Sequence, residues 1–365
     1  MSRSKQLICL STVPWSEKIT RRQMIMSRMR DVEIVYIDPP TGRRSVITRK
    51  PEPVSPYPHI RVYSPTGAGD SKRLSAFLES VIQKEELAEP LVWLYSPVYL
   101  GAVRPLKMAG LVYDAAENPS HTSPRDGSRL EKELCEAADV VFAAQMTHYD
   151  RIEAYQKKTY LIPSGIDYRP KTSLSDEALG VIARMEELPK PLYGFAGALR
   201  RSVDFEMLEK IADAGKSLLV VAEAGADEAA VKEEVERLEA RENVLLIRAA
   251  SQSAILEYIR SFDVCVSPLT AQGASDELFT RVFFEYLASG KPIVTSPYPA
   301  IVKNYGDVAD VSEVGDIFLK MVLTADERFD LPRKERQIAY AKALGWDARV
   351  AEMRRLLARE GFLTD

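Results

Sequence analysis

The chain contains 365 residues, 46% of them hydrophobic and 28% charged, with a net charge of −4. This composition excludes a wholly disordered or collagen-like chain, and the length predicts two domains. No apolar run reaches the ~20 residues that cross a bilayer, and the N-terminus lacks the pattern of a secretory signal. The cysteines Cys9, Cys135 and Cys265 are sparse and lie in apolar segments, which is typical of reduced thiols. We therefore expect a cytoplasmic protein.

Charge is distributed unevenly along the chain. Residues 1–75 contain 14 Lys or Arg and 6 Asp or Glu. Such a basic segment indicates a phosphate-bearing partner, an anionic membrane surface or simply a solvated face. Residues 19–30 could form an amphipathic helix, either with its methionines in the core or lying peripherally on the inner face of the membrane. Its arginines are Arg21, Arg22, Arg28 and Arg30.

Short apolar runs alternate with amphipathic segments through the first half of the chain. The predicted strands are Leu7–Ser11, Glu33–Asp38, Val92–Ser96, Leu111–Tyr113, Asp139–Ala144 and Thr159–Ile162. The predicted helices between them are Ser16–Arg30, Ser71–Glu86 and Arg129–Ala138. Apolar strands that alternate with helices favour a parallel sheet covered on both faces.

The second half repeats this plan. Its predicted strands are Leu192–Ala196, Ser217–Ala222, Asn243–Arg248, Asp263–Ser267 and Pro292–Ser296. Its predicted helices are Phe205–Ala214, Asp227–Ala240, Ser253–Ser261 and Arg281–Ser289. We therefore predict an α/β fold of two doubly wound, Rossmann-like domains, whose strand ends face each other across an interdomain cleft. The predicted boundaries are 1–167 for the first domain, 168–190 for a linker, 191–340 for the second domain and 341–365 for a C-terminal helix that crosses back to the first domain.

The segment from Asp276 to Val294 carries the most informative motif. Glu277 and Glu285 are separated by seven residues, in a stretch that runs from a loop into a helix. The amides of Phe279, Thr280, Arg281 and Val282, at the positive end of the helix dipole, could bind a diphosphate. Glu285 could accept hydrogen bonds from both hydroxyls of a ribose, which leaves Glu277 for a sugar hydroxyl.

This glutamate pair, followed by Leu-Ala-Ser-Gly-Lys-Pro-Ile-Val up to Val294, resembles the signature of the family-four retaining glycosyltransferases, which have the GT-B fold. Further segments resemble the bacterial branch that includes teichuronic acid glycosyltransferases. They are Val-Tyr-Asp-Ala-Ala-Glu ending at Glu117, Ile-Pro-Ser-Gly-Ile-Asp ending at Asp167, and Tyr193-Gly-Phe-Ala-Gly-Ala-Leu. The weaker motifs occur in the order found in the family.

The resemblance implies that the second domain holds a nucleotide-diphospho-sugar, UDP- or GDP-linked, and that the first domain holds the acceptor. By position, Glu285 binds the ribose, Glu277 the donor sugar, and the backbone of Arg248 and Ala249 the base. Such enzymes usually need no metal or other cofactor, because basic side chains neutralise the leaving diphosphate.

Two departures from the family pattern affect those basic side chains. After Gly197 the family usually has an arginine, followed by a lysine about five residues on, whereas this chain has Ala198 and then Arg200 and Arg201. We expect Arg201 to take over the diphosphate role, with Arg200 and Arg281 as alternatives. If none of them does, the chain would bind a nucleotide but turn over poorly.

In the first domain, the resemblance suggests acidic or histidine side chains near the acceptor. Asp114, Glu117 and His121, which follow a predicted strand end, are candidates to orient the acceptor hydroxyl or take its proton. For Asp114 the alternative is a cap on the following turn. Trp15 and Ser16 follow the first strand and are expected to line the site.

The expected function is therefore transfer of a sugar, with retention, to a glycan or lipid-linked acceptor in cell-envelope polysaccharide assembly. The alternatives are a GT-B nucleotide-sugar epimerase and a nucleotide-sugar-binding protein without catalysis. No motif indicates a nucleic-acid partner.

Overall fold

The computed structural model describes residues 5–16, 20–40, 53–66, 70–119, 125–166, 168, 176–223, 228–249, 252–270, 277–297 and 305–363. The chain divides into two compact units. The N-terminal unit comprises Met1–Gly165 together with Trp346–Asp365, and the C-terminal unit comprises Ile166–Gly345. The last residues of the chain thus belong to the N-terminal unit.

An eight-stranded sheet forms the centre of the N-terminal unit, in the order β3-β4-β2-β1-β5-β6-β7-β8. Its strands are β1 Gln6–Leu10, β2 Glu33–Ile37, β3 Val54–Tyr57, β4 Ile60–Tyr63, β5 Leu91–Leu94, β6 Gly110–Ala115, β7 Val140–Ala143 and β8 Thr159–Leu161. All neighbouring pairs are parallel except β3 and β4. The sequence analysis missed this edge hairpin because Val54–Tyr57 is exposed and contains a proline.

Helices cover both faces of this sheet, so alternate strand residues enter two separate apolar clusters. The helices are α1 Arg21–Met26, α2 Ser71–Lys84, α3 Leu100–Val103, α4 Gly127–Ala137, α5 Met146–Ile152 and, from the end of the chain, α13 Trp346–Arg359. Trp346 and Met353 of α13 pack in the same cluster as Met26 of α1. Helix α1 begins later than predicted because its capping box is formed by Thr20 and Gln23, with Thr20 four residues beyond Ser16, and it ends at Met26 instead of Arg30.

The C-terminal unit contains a six-stranded parallel sheet in the order β11-β10-β9-β12-β13-β14. The strands are β9 Leu192–Gly197, β10 Ser217–Glu223, β11 Val244–Ala249, β12 Val264–Ser267, β13 Ile293–Thr295 and β14 Asp310–Val311. The helices are α6 Asp176–Glu186, α7 Phe205–Asp213, α8 Lys232–Glu239, α9 Gln252–Ile259, α10 Glu277–Ser289, α11 Asp316–Leu323 and α12 Leu331–Ala343.

Helix α6 lies within the predicted linker 168–190, so much of that segment is not a linker. The proline- and serine-rich residues before it obscured an amphipathic pattern, in which Ala178 and Met185 enter the apolar core of the C-terminal unit.

Candidate functional site

The strand order of the C-terminal unit places its switch point between β9 and β12. There the chain runs from β9 to β10 on one side and from β12 to β13 on the other. In doubly wound folds, ligands bind at the carboxyl ends of the strands at such a point. The loop after β9 is fixed to the segment after β12 by backbone hydrogen bonds. Asp204 N–H donates to the Pro268 carbonyl at 2.9 Å, and Thr270 N–H donates to the Ser202 carbonyl at 2.9 Å. The predicted diphosphate loop therefore lies at the switch point.

Within this loop the predicted residues differ in accessibility. Gly197 ends β9 with φ of +138°, a backbone conformation that favours glycine. Ala198 is buried, Arg200 is partly buried and Arg201 is exposed at a turn. Arg201 forms no ion pair with any residue in the described ranges. Its charge is thus available to a bound anion, which agrees with the role expected from the sequence but does not test it.

Helix α10 begins at Glu277 and packs against the sheet through Val282, which is 2% exposed. Glu285 is largely buried at 7% exposure, and its Oε1 lies 3.7 Å from Nε of Arg281. Arg281, the alternative diphosphate ligand, thus lies one turn before Glu285 on the same helix. The side chains of Glu277, Phe279 and Thr280 lie outside the described part of the structure.

The predicted base-binding residues end strand β11. Ala249 is buried, whereas the Arg248 side chain is half-exposed and forms an ion pair with Glu239 at 2.9 Å. The Arg248 side chain is thus directed to α8, which leaves only its backbone for the role predicted from the sequence.

In the N-terminal unit, three segments meet beyond the carboxyl ends of β1 and β6. Arg22 of α1 donates to Oγ1 of Thr12 and, at 2.6 Å, to Oε1 of Glu117. The guanidinium also lies 4.8 Å from the centre of the Tyr95 ring. The arginine side chain is 4% exposed, but that of Glu117 is 40% exposed. An acceptor could therefore reach the Glu117 carboxylate, while Arg22 holds the carboxylate in place from the buried side.

Beneath this group lies a buried ion pair. Nε of Arg21 donates to both carboxylate oxygens of Asp114 at 3.0 and 3.1 Å, and Asp114 is completely buried. Burial raises the pKa of Asp114, and the Arg21 guanidinium opposes that shift. Burial also raises the pKa of the neighbouring Tyr95, and the Asp114 charge adds to the effect. The alternative in which Asp114 only caps a turn is wrong, because its carboxylate is used by Arg21.

The other residues predicted for the site in the N-terminal unit are Trp15, Ser16 and His121. Trp15 is partly buried, with its ring 4.9 Å from that of Tyr36, and its backbone N–H donates to Oδ1 of Asp38 at 2.8 Å. Ser16 is exposed. His121 lies outside the described residues. Among the described residues predicted for the acceptor side, Trp15 thus provides an aromatic surface and Glu117 provides a carboxylate that an arginine holds.

The arginines of residues 19–30 do not form one exposed basic face. Arg21 and Arg22 are buried, Arg28 is partly buried and pairs with Asp347 at 3.1 Å, and Arg30 alone of the four is exposed. Met26 and Met29 are completely buried, as in the alternative that places the methionines in the core. The sequence analysis therefore missed Arg21 and Arg22 as residues of the candidate site. The feature of the sequence that could have identified them is the adjacent pair Arg21-Arg22, which follows the first predicted strand.

In the described part of the chain, no group of three or more His, Cys, Asp and Glu side chains could hold a metal ion. None of the helices in that part is both long and apolar enough to cross a membrane. The three cysteines are buried and form no disulfide.

Comparison with known proteins identifies the class of fold. The chain is similar to the E. coli trehalose-6-phosphate protein whose structure is bound with UDP-2-fluoro glucose, at a TM-score of 0.64 and 11% identity, over 96% of this chain and 98% of that one. It is also similar to Anabaena Alr3699/HepE in complex with UDP-glucose, at a TM-score of 0.61 and 16% identity, over 97% and 99% of the two chains. A third neighbour is the alpha,alpha-trehalose 6-phosphate synthase from Burkholderia multivorans, at a TM-score of 0.59 and 13% identity, over 98% and 99%. The predicted GT-B fold is confirmed.

The sequence match is more local and lies in the C-terminal unit. Residues 186–307 match the family model of glycosyl transferases group 1. This segment contains β9 with its loop, β11, β12 and the whole of α10. The match thus identifies a segment of glycosyltransferase type that includes every predicted donor residue. Comparison with curated protein sequences gave no match.

Proposed function

We propose that the protein is a metal-independent glycosyltransferase that moves a sugar from a nucleotide diphosphate to a hydroxyl of a glycan or lipid-linked acceptor, with retention. The observation that carries this proposal is the position of Glu285. It is a nearly buried carboxylate on the helix that packs beside the switch point, within the segment that matches group 1 glycosyl transferases. A carboxylate there can bind the two ribose hydroxyls of a donor.

In this proposal the C-terminal unit binds the donor through the α10 amides, the loop after β9 and the backbone at Arg248 and Ala249. Arg201 neutralises the leaving diphosphate electrostatically. The E. coli and Anabaena neighbours contain UDP-2-fluoro glucose and UDP-glucose, which supports a UDP-linked donor. We assign the reaction to cell-envelope polysaccharide assembly in the cytoplasm, on the resemblance to the teichuronic-acid branch.

A screen of nucleotides tests the donor site directly. The melting temperature of the purified protein would be measured with UDP, GDP, ADP and CMP and with their sugar conjugates. At a concentration about 100-fold above the dissociation constant, a ligand adds ~2.7 kcal/mol of stability. For domains of this size that is a rise of about 5–10 °C. A rise with one base supports the proposal, whereas no rise with any nucleotide contradicts it.

Replacement of Glu117 tests the acceptor side. Glu117→Gln keeps the shape but removes the charge that could orient the acceptor hydroxyl or take its proton. We expect transfer from the donor to fall by roughly 10²–10⁴-fold, while the affinity for the nucleotide stays unchanged. Transfer would be measured as nucleotide release in the presence of a panel of glycoside acceptors.

Glu133→Gln is the matched control for Glu117. Glu133 is also paired with an arginine, Arg129, and its side chain is 38% exposed. Equal activity of the two variants would exclude Glu117 from the reaction. Tight nucleotide binding with no transfer in the unmodified protein would instead favour a nucleotide-sugar-binding protein without catalysis.

A further inference from the structure

The two central strands of the C-terminal sheet separate before they end. Strand β9 pairs with β10 at six positions, up to Gly197, and β12 pairs with β13 up to Ser267. Between themselves, β9 and β12 pair at only two positions, Tyr193 with Val264 and Gly194 with Cys265. Their ladder therefore stops short of both carboxyl ends, at the switch point where the donor is proposed to bind.

A tyrosine hydroxyl from α10 fills the gap. The Tyr286 hydroxyl accepts a hydrogen bond from Ala196 N–H at 2.8 Å and donates one to the Val266 carbonyl at 3.2 Å. Tyr286 is completely buried. Backbone groups in such a place would otherwise be buried without a partner, which is costly. The Tyr286 hydroxyl thus takes the place of a backbone hydrogen bond between β9 and β12, and it joins α10 to both strands.

This link connects the parts of the proposed donor site. Tyr286 follows Glu285, the proposed ribose ligand, in the sequence. Ala196 immediately precedes Gly197 and the loop that contains Arg200 and Arg201. A shift or rotation of α10 would therefore break the hydrogen bonds at the end of β9 and at the end of β12 together.

We propose that Tyr286 is a positioning residue of the donor site, which fixes the ribose carboxylate relative to the diphosphate loop without itself touching the nucleotide. This inference rests on the proposed function. A core residue that only filled space would not need the hydroxyl. Its buried neighbours on α10, Phe283 and Leu287, are apolar, and phenylalanine would fill the volume of the Tyr286 ring.

The test is the affinity for UDP, measured by titration calorimetry at a temperature where every variant is folded. Tyr286→Phe keeps the ring and removes the two hydrogen bonds. We expect it to bind UDP about 10-fold more weakly, which corresponds to ~1.4 kcal/mol. Tyr113→Phe is the matched control, because the Tyr113 hydroxyl is also buried and donates to Glu131 at 3.0 Å, but in the N-terminal unit. It should lower the melting temperature while leaving the affinity for UDP unchanged.

The outcomes separate this inference from the proposed function. If the unmodified protein binds UDP and Tyr286→Phe binds it equally well, the positioning role is wrong and the donor site stands. Equal losses of affinity for UDP in Tyr286→Phe and Tyr113→Phe would also overturn the positioning role. They would show that any loss of a buried tyrosine hydroxyl weakens binding by destabilising the protein. If the unmodified protein binds no nucleotide, both proposals fail.

Hydrogen exchange of the unmodified protein gives a second test that needs no variant. If Tyr286 couples the helix to the loop, UDP should slow amide exchange in residues 192–202 and 277–289 together. Slower exchange in only one of the two segments would overturn the coupling.

Discussion

Replacement of Glu285 by alanine is expected to weaken nucleotide binding about 100-fold. The carboxylate is proposed to accept hydrogen bonds from both ribose hydroxyls, and hydrogen bonds to a charged group contribute roughly 1.5–3 kcal/mol each. Loss of two such bonds at the lower limit, about 3 kcal/mol in total, corresponds to a factor of roughly 100. Titration calorimetry with the nucleotide identified in the thermal screen would measure the change.

Glu257→Ala is the appropriate control for Glu285→Ala. Glu257 lies on α9 of the same unit, and its side chain is 8% exposed beside Arg260 at 3.6 Å. The Glu285 side chain is 9% exposed, and its Oε1 lies 3.7 Å from Nε of Arg281. The two variants therefore remove similar buried carboxylates, each of which lies near an arginine close to it in the sequence. An equal affinity for the nucleotide in both would remove Glu285 from the ribose site.

The second large effect is expected at the buried ion pair of the N-terminal unit. Arg21→Met should lower the free energy of unfolding of this unit by about 3–5 kcal/mol at pH 8, because it leaves the Asp114 carboxylate buried without its partner. Trp15, Trp93 and Trp346 all belong to the N-terminal unit. Tryptophan fluorescence during urea unfolding therefore reports on this unit selectively.

The loss in Arg21→Met should depend on pH with a definite sign. Burial already raises the pKa of Asp114, and Arg21 is the main group that opposes the shift. Without Arg21 the folded pKa rises further, while the unfolded pKa stays near 3.9. In the variant, Asp114 therefore holds its proton more tightly in the folded state than in the unfolded state. The free energy of unfolding is retained below the unfolded pKa of Asp114 and is lost as the pH rises through its folded pKa. The variant should thus be closest to the unmodified protein at low pH.

Arg28→Met provides the comparison for Arg21→Met. Arg28 lies in the same stretch of chain and pairs with Asp347, whose side chain is 42% exposed. Because exposed ion pairs contribute about 0–1 kcal/mol, this variant should be nearly neutral. The buried Arg21–Asp114 pair would not have the expected effect if Arg21→Met lost as little unfolding free energy as Arg28→Met. A loss that stayed the same between pH 5 and pH 8 would contradict the raised pKa of Asp114.

The hydrophobic pattern was sufficient to predict the architecture. Strands such as Leu91–Leu94 and Val140–Ala143 are buried along their whole length. Apolar runs of this kind, separated by amphipathic helices, favour a doubly wound parallel sheet whatever the protein does. The pattern failed at Val54–Tyr57, where an exposed edge strand has no apolar signal, and at α6, which follows a segment rich in turn residues.

The candidate site could be predicted only in part. The segment that contains Glu277 and Glu285 was predicted to run from a loop into a helix, because its pattern is continuous in the sequence. The roles of the two glutamates come from the family resemblance and stay predictions. The Arg22–Glu117 pair joins residues 95 positions apart in the sequence. A local pattern cannot show which distant carboxylate an arginine meets, and so Arg21 and Arg22 were interpreted as surface charges.

The sequence by itself determined the two doubly wound units and the glutamate motif, because periodicity and local spacing are properties of neighbouring residues. Only the tertiary structure decided that Arg21 and Arg22 are buried beneath the candidate acceptor site, and that Tyr286 links β9 to β12. The physical reason is that buried polar groups must find partners, and those partners are brought together by the packing of elements that are remote in the chain.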